Sequence, residues 1–72
     1  MRRLGEVVGD TGGVIVVRCE DGIEPEFDAA VYDEGLDRVG ETVEFFGPVD
    51  RPYALVGDGE PSADVGDVLY LN

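Results

Sequence analysis

The stretch Asp10-Thr11-Gly12-Gly13-Val14-Ile15-Val16-Val17-Arg18-Cys19 decides the fold. Its opening Gly-Gly pair is turn chemistry, and the β-branched run that follows is too short for a helix. Valine and isoleucine suit a pleated surface and lose side-chain freedom in a helix. Working outward, Leu4 to Val8 reads as the strand before the turn, and Glu20-Asp21-Gly22 as the turn after the run. Ile23 to Asp28 is an acidic crossing that contains Pro25. Ala30 to Asp33 is a short third strand, Glu34-Gly35 a tight turn, and Val39 to Phe46 a fourth strand. Gly47-Pro48 ends it, Pro52 limits the next strand to Tyr53 to Val56, Gly57 to Ser62 is loop, and Val68 to Leu71 closes the series. Valine outnumbers leucine 12 to 5, and 11 glycines with 4 prolines leave no sustained helical period. Short strands with regular turns predict an all-β fold, a small six-stranded closed barrel of antiparallel strands, because closure removes exposed edges.

The chain has 72 residues, enough for one domain, residues 1–72, and no more. Area scaling buries about 60% of the unfolded chain's surface at this size, so the core is thin. No apolar run approaches the ~20 residues of a membrane span. Met1 to Glu6 lacks the apolar stretch of a signal peptide, so a cytoplasmic protein is expected. Cys19 is the single cysteine and makes no internal disulfide.

Seventeen acidic residues against five arginines, with no lysine or histidine, give a net charge of −12. Such a charge repels a phosphate backbone. The valine content and turn pattern argue against a disordered acidic tail. They favour the lysine-free acidic surface of a protein adapted to concentrated salt. In molar salt the Debye length falls to ~3 Å and self-repulsion is screened. The melting temperature is therefore expected to rise with KCl; one indifferent to salt would contradict this reading.

Val14 and Val16 lie on one face of their strand, Ile15 and Val17 on the other, although only one face of a small barrel looks inward. In the fourth strand Val43 and Phe45 are expected to share a face, with Phe46 opposite, beside Glu44. Pro48, Val49, Pro52, Tyr53 and Leu55 add apolar surface nearby. This excess reads either as a protein-binding patch or as filling for the ends of an irregular barrel. Gly47 and Pro48 fit a rigid docking loop and an ordinary strand end alike. Tyr53 fits a contact residue or a barrel plug.

Reactive machinery is missing. Without histidine no Ser-His-Asp or Cys-His arrangement can form. Cys19 beside Arg18 reads as a small buried or edge residue rather than a nucleophile. Zinc would need more Cys or His ligands. Asp58, Glu60, Ser62 and Asp64 alternate as at the start of a calcium loop, but Ala63 stands where such a loop needs its glycine. Asp33 and Glu34 are unremarkable among 17 acids. Gly12-Gly13 enters a strand rather than a helix, so it is no phosphate cradle. No cofactor or metal is expected.

The segment Val39-Gly40-Glu41-Thr42-Val43-Glu44-Phe45-Phe46-Gly47-Pro48-Val49-Asp50-Arg51-Pro52-Tyr53-Ala54-Leu55-Val56 resembles the signature of the Gar/Naf family, the small β-barrel subunit of box H/ACA ribonucleoproteins. Its most specific part is Phe46-Gly47-Pro48-Val49 followed by Pro52-Tyr53. Leu4 to Val8, Val14 to Arg18, Pro25 with Ala30 to Asp33, and Gly66 to Leu71 are similar to the family's flanking elements in the same order, so the resemblance covers nearly the whole chain. The chain departs from the pattern at Asp28, where the family often has glycine, and at Glu44 and Phe45, where Asp or Val is usual. It also lacks Arg/Gly-rich arms, which with the acidic surface suggests an archaeal, haloarchaeal form.

The resemblance implies a non-catalytic accessory subunit. It would dock on the pseudouridine synthase catalytic subunit (the dyskerin homologue), hold a mobile loop there, and help the RNA-guided particle load and release substrate RNA during rRNA processing. Guide RNA would be met only indirectly. The free protein would be a monomer or weakly self-associated, with no membrane partner. The interface residues would be Phe46, Gly47, Pro48, Val49, Pro52 and Tyr53. The competing readings are a barrel that binds RNA directly, with only Arg18, Arg38 and Arg51 to do so, and a carboxylate-based enzyme or metal protein.

Overall fold

The computed structural model describes residues 1–57 and 63–71. β1 (Arg2–Thr11) and β2 (Val14–Cys19) form a hairpin closed by the Thr11–Val14 pair. Gly12 (φ +60°) and Gly13 (φ +84°) make the two-residue turn, both in the left-handed region that matches strand twist. β3 (Ala30–Tyr32), β4 (Arg38–Phe46), β5 (Tyr53–Gly57) and β6 (Val68–Leu71) complete a closed barrel in the order β1-β2-β5-β4-β3-β6, every pair antiparallel. The expected closed six-stranded barrel is the observed fold.

The strand limits differ from the expected ones at the ends. β1 runs from Arg2 to Thr11 rather than Leu4 to Val8, because it pairs with β6 at its start and with β2 up to the turn. β3 stops at Tyr32 because Asp33 turns the chain: its carboxylate accepts hydrogen bonds from the backbone N–H of Gly35 and Asp37. β4 gains Arg38, and β5 gains Gly57, which pairs with Glu41.

The core lies on the inner faces. Leu4, Val7, Ile15, Val17, Val31, Ala54, Val56, Leu69 and Leu71 are buried, with Cys19 and Val39. Burying a valine- or leucine-sized side chain contributes about 1.5–3 kcal/mol, so these side chains dominate the stability. The barrel is narrow enough that Gly5 has backbone where a side chain would go: a Cβ there would stand 2.8 Å from Arg18 C and Cys19 Cα and overlap Arg18 O.

Bulges give the sharp coiling that so small a barrel needs. One inserts Val43 between Thr42, opposite Val56, and Glu44, opposite Leu55. It overturns the expectation that Val43 and Phe45 share a face. Val43 is exposed, whereas Phe45 lies opposite Ala54 and packs against the core. Strict alternation across Val43 fails because the extra residue resets the pleat.

Thr42 is the one buried polar side chain among the described core residues. Its hydroxyl donates to Glu26 O and accepts from the Ala29 N–H at 3.0 Å. Its backbone bonds Asp28 N–H and Ala29 O at 2.8 and 2.9 Å. Thr42 thereby ties the crossing that contains Pro25 and Phe27 to β4.

Candidate functional site

The signature segment forms the end of β4, the loop 47–52 and the start of β5. Phe46 and Tyr53 are register partners that both point outward, and their rings stack with centroids 5.6 Å apart and planes 19° from parallel. Phe46 is 46% exposed, and Tyr53 is half-buried on the outer face rather than plugging the barrel. Gly47 has φ +93°, a conformation closed to most side chains, and its Cα faces the Tyr53 ring so closely that a Cβ would sit 3.2 Å from Tyr53 Cδ1. Pro48 is exposed, and Val49 is 95% exposed. Pro52 is buried beneath the loop, where it forms part of the floor rather than the rim.

Three bonds pin the loop to the end of β2 and to the turn that follows it. Cys19 N–H donates to Pro52 O at 3.0 Å, Gly22 N–H to Asp50 O at 2.8 Å, and Arg51 Nε to Cys19 O at 3.2 Å. Val49 is thus held out to solvent by a fixed frame. An ordered loop loses little entropy on docking, so its apolar side chains add more to affinity.

The residue the sequence reading left unassigned is Phe27. It is 61% exposed and meets Phe45 edge-on, centroids 5.5 Å apart and planes at 86°. The signal was present: one aromatic among the three acids and one proline of Glu24 to Asp28. All three phenylalanines therefore gather at one end of the barrel. Beside Phe45 and Phe46 lies a shallow cavity of about 220 Å³ lined by Pro25, Phe45 to Val49 and Pro52. The outer face of β2 and β5 carries the apolar surface upward: Val16 pairs with Leu55, both half-buried, and Val8 and Val43 are exposed at its edges.

The carboxylates and the cysteine have other employment. Cys19 is fully buried, and burial with the neighbouring Glu20 charge pushes its thiol up to about 11, the reverse of an activated nucleophile. A second cavity of about 250 Å³ lies at the opposite end among Asp33, Glu34, Gly35, Asp67 and Val68, but Asp33 and Asp67 both hold backbone N–H groups of their own turns. Of the alternating loop acids only Asp64 falls among the described residues, and its N–H donates to Asp67; Asp58, Glu60 and Ser62 lie outside them. No cluster able to hold a metal ion occurs among the described residues.

Fold and face together define a class: a closed six-stranded barrel with a preformed apolar outer face. No family model matches the chain, and no curated protein does.

Proposed function

We propose that this protein is a non-catalytic accessory subunit of an H/ACA-type pseudouridine synthase particle. It docks on the catalytic subunit through the face around Phe46, Gly47, Pro48, Val49 and Tyr53, with Pro52 as its floor and Phe27 at its edge, and assists substrate RNA loading and release. One observation carries the docking half of this reading. On a chain of net charge −12, exposed Phe27, Phe46 and Val49 gather at one pinned loop and its neighbours, with a cavity lined by apolar residues beside them, whereas Leu36 and Val65 are exposed singly in turns at the other end of the barrel. Contiguous apolar surface of that kind marks a contact with another macromolecule.

The choice of partner rests on the resemblance of the 39–56 segment to the Gar/Naf signature, and one backbone feature supports it. Asp28, which stands where that family often has glycine, adopts φ +57°, the left-handed conformation that glycine takes freely and Asp tolerates. The departure in sequence preserves the backbone demand.

The test is titration of the synthase catalytic subunit with wild type and with the triple variant Phe46→Ala, Val49→Ala, Tyr53→Ala. Expected is saturable binding by wild type and its loss in the variant, with the circular dichroism of the barrel retained. Equal binding by a folded triple variant removes the face from the interface. A second reading, direct RNA binding, draws on Arg18 beside the stacked Tyr53. A gel shift of guide RNA by this chain alone would favour it.

A further inference from the structure

Of the five arginines, three are already paired. Arg2 meets Glu26 at 2.7 Å, Arg3 meets Glu20 at 3.3 Å, and Arg38 meets Glu41 at 3.0 Å. Arg18 and Arg51 make no ion pair among the described residues, and both border the apolar face. Arg18 is exposed on the outer side of β2, directly opposite Tyr53. Glu6 faces it from β1 without coming within ion-pair distance. Arg51 is exposed in the pinned loop, and among the described residues only its Nε is engaged, by the carbonyl of Cys19. On a surface so rich in acid, the two guanidiniums that have no carboxylate partner among the described residues stand where the docking partner would arrive.

We infer that Arg18 and Arg51 are the charged contacts of this face, and that the partner's surface is apolar with carboxylates set to meet them. The inference rests on the docking reading above and adds the chemistry of the partner. A guanidinium forks onto a carboxylate through two parallel hydrogen bonds, which fixes register as well as sign. Phosphate has the same fork geometry, but Glu6, Glu44 and Asp50 lie in or beside the face. A polyanion laid across it would meet those charges as well as the two arginines, whereas a protein surface can place single acids opposite single bases. Charges of this kind mainly set register and approach, while Phe46 and Val49 supply apolar burial.

The synthase catalytic subunit is titrated with wild type, Arg18→Glu, Arg51→Glu, Arg18→Gln, Phe46→Ala and, as a control, Arg38→Glu, which alters net charge equally on the other half of the barrel. Affinity is expected to fall about tenfold or more in Arg18→Glu and Arg51→Glu and by less in Arg18→Gln, with Arg38→Glu close to wild type. Arg18 is exposed and closes no part of the barrel, so circular dichroism of its variants should match wild type. If Phe46→Ala weakens binding while both charge reversals bind as wild type does, this inference fails and the docking reading stands. If wild type does not bind, both fail. Two further results would also overturn it: guide RNA bound by the free chain and released by Arg18→Glu, or sedimentation showing a dimer that Arg18→Glu dissolves.

Discussion

Two outward rows cross this barrel, built from nearly the same parts. On one, Phe46, Tyr53, Arg18 and Glu6 stand side by side on β4, β5, β2 and β1. On the other, Arg38, Tyr32, Tyr70 and Arg3 do so on β4, β3, β6 and β1. Each row has two aromatic rings and at least one guanidinium. In the second row both arginines are held by carboxylates of this chain, and both tyrosines are half-buried. In the first the rings stack on each other, Phe46 is open to solvent, and Arg18 has no ion pair among the described residues. The pair of aromatic rings and the presence of arginine do not by themselves distinguish the rows. What distinguishes them is which groups remain unsatisfied within the chain, and that is what a partner can use.

The largest expected effect breaks both rows together. They share β1 on either side of Gly5, at Arg3 and Glu6. In Gly5→Ala the new methyl would press on the backbone of Arg18 and Cys19, which cannot yield as a flexible side chain could. A cost on the order of 3 kcal/mol or more follows from such overpacking. That approaches the low end of the stability expected of a 72-residue domain, at roughly 0.05–0.15 kcal/mol per residue. No cooperative thermal transition is expected by circular dichroism. A variant melting where wild type does would mean that β1 and β2 need not approach so closely.

Thr42→Val sharpens the comparison by loosening one side. The change keeps the shape of the side chain and leaves the Ala29 N–H and Glu26 carbonyl without their hydroxyl partner. Both groups are partly buried, so leaving them unpaired should cost toward the lower end of about 1–3 kcal/mol. Urea denaturation should read that loss, and Thr42→Ser should recover most of it. The crossing near Pro25 and Phe27 belongs to the first row's end of the barrel, so the exchange of the Ala29 amide should quicken. Stability equal to wild type would show the crossing to be held by its backbone bonds alone.

The fold was legible in the sequence because its signals are local. The Gly12-Gly13 turn, the 14–19 run and the breaks at Gly47-Pro48 and Pro52 lie within a few residues of what they control. The apolar face was legible in part: Phe46, Val49 and Tyr53 stand out of the pattern, and all three are on the outer surface. Pro52 could not be placed, since a loop proline reads the same on a floor as on a rim. The Val43 bulge was hidden because a bulge is a property of the pair: nothing in Thr42-Val43-Glu44 announces that β5 has one residue fewer. Phe27 joins Phe45 across 18 positions of chain, a contact that only closure of the barrel creates. The ion pairs that separate the two rows are equally non-local in the case of Arg3 with Glu20.

The pinned loop of the first row hangs on the backbone of Cys19, which makes alkaline pH a probe of that side. The folded thiol titrates at about 11 against an ordinary value of 9.0, chiefly because it is buried and secondly because of Glu20. The folded state therefore keeps a proton that the unfolded chain gives up. This site leaves stability unchanged below pH 9, and stability falls as pH rises from about 9 to 11, by at most about 1.4 kcal/mol per pH unit. The difference in urea midpoint between wild type and Cys19→Ala should isolate it. A constant difference across that range would place the thiol in contact with water.

The smallest effect bears most directly on the contrast between the rows. Arg38→Ala removes an ion pair from the second row, and Arg18→Ala removes none among the described residues of the first. The Arg38–Glu41 pair is partly exposed, so its loss should cost no more than about 1 kcal/mol. Arg18→Ala should fall within about 0.5 kcal/mol of wild type, the usual range for a surface change away from any special contact. Raising the salt should shrink the first penalty, because screening weakens the pair before the guanidinium is removed. The two penalties are therefore expected to differ in dilute buffer and converge in molar KCl. If Arg18→Ala were the more costly of the two, Arg18 would already serve this chain's own fold, and the open row would be closed like the other.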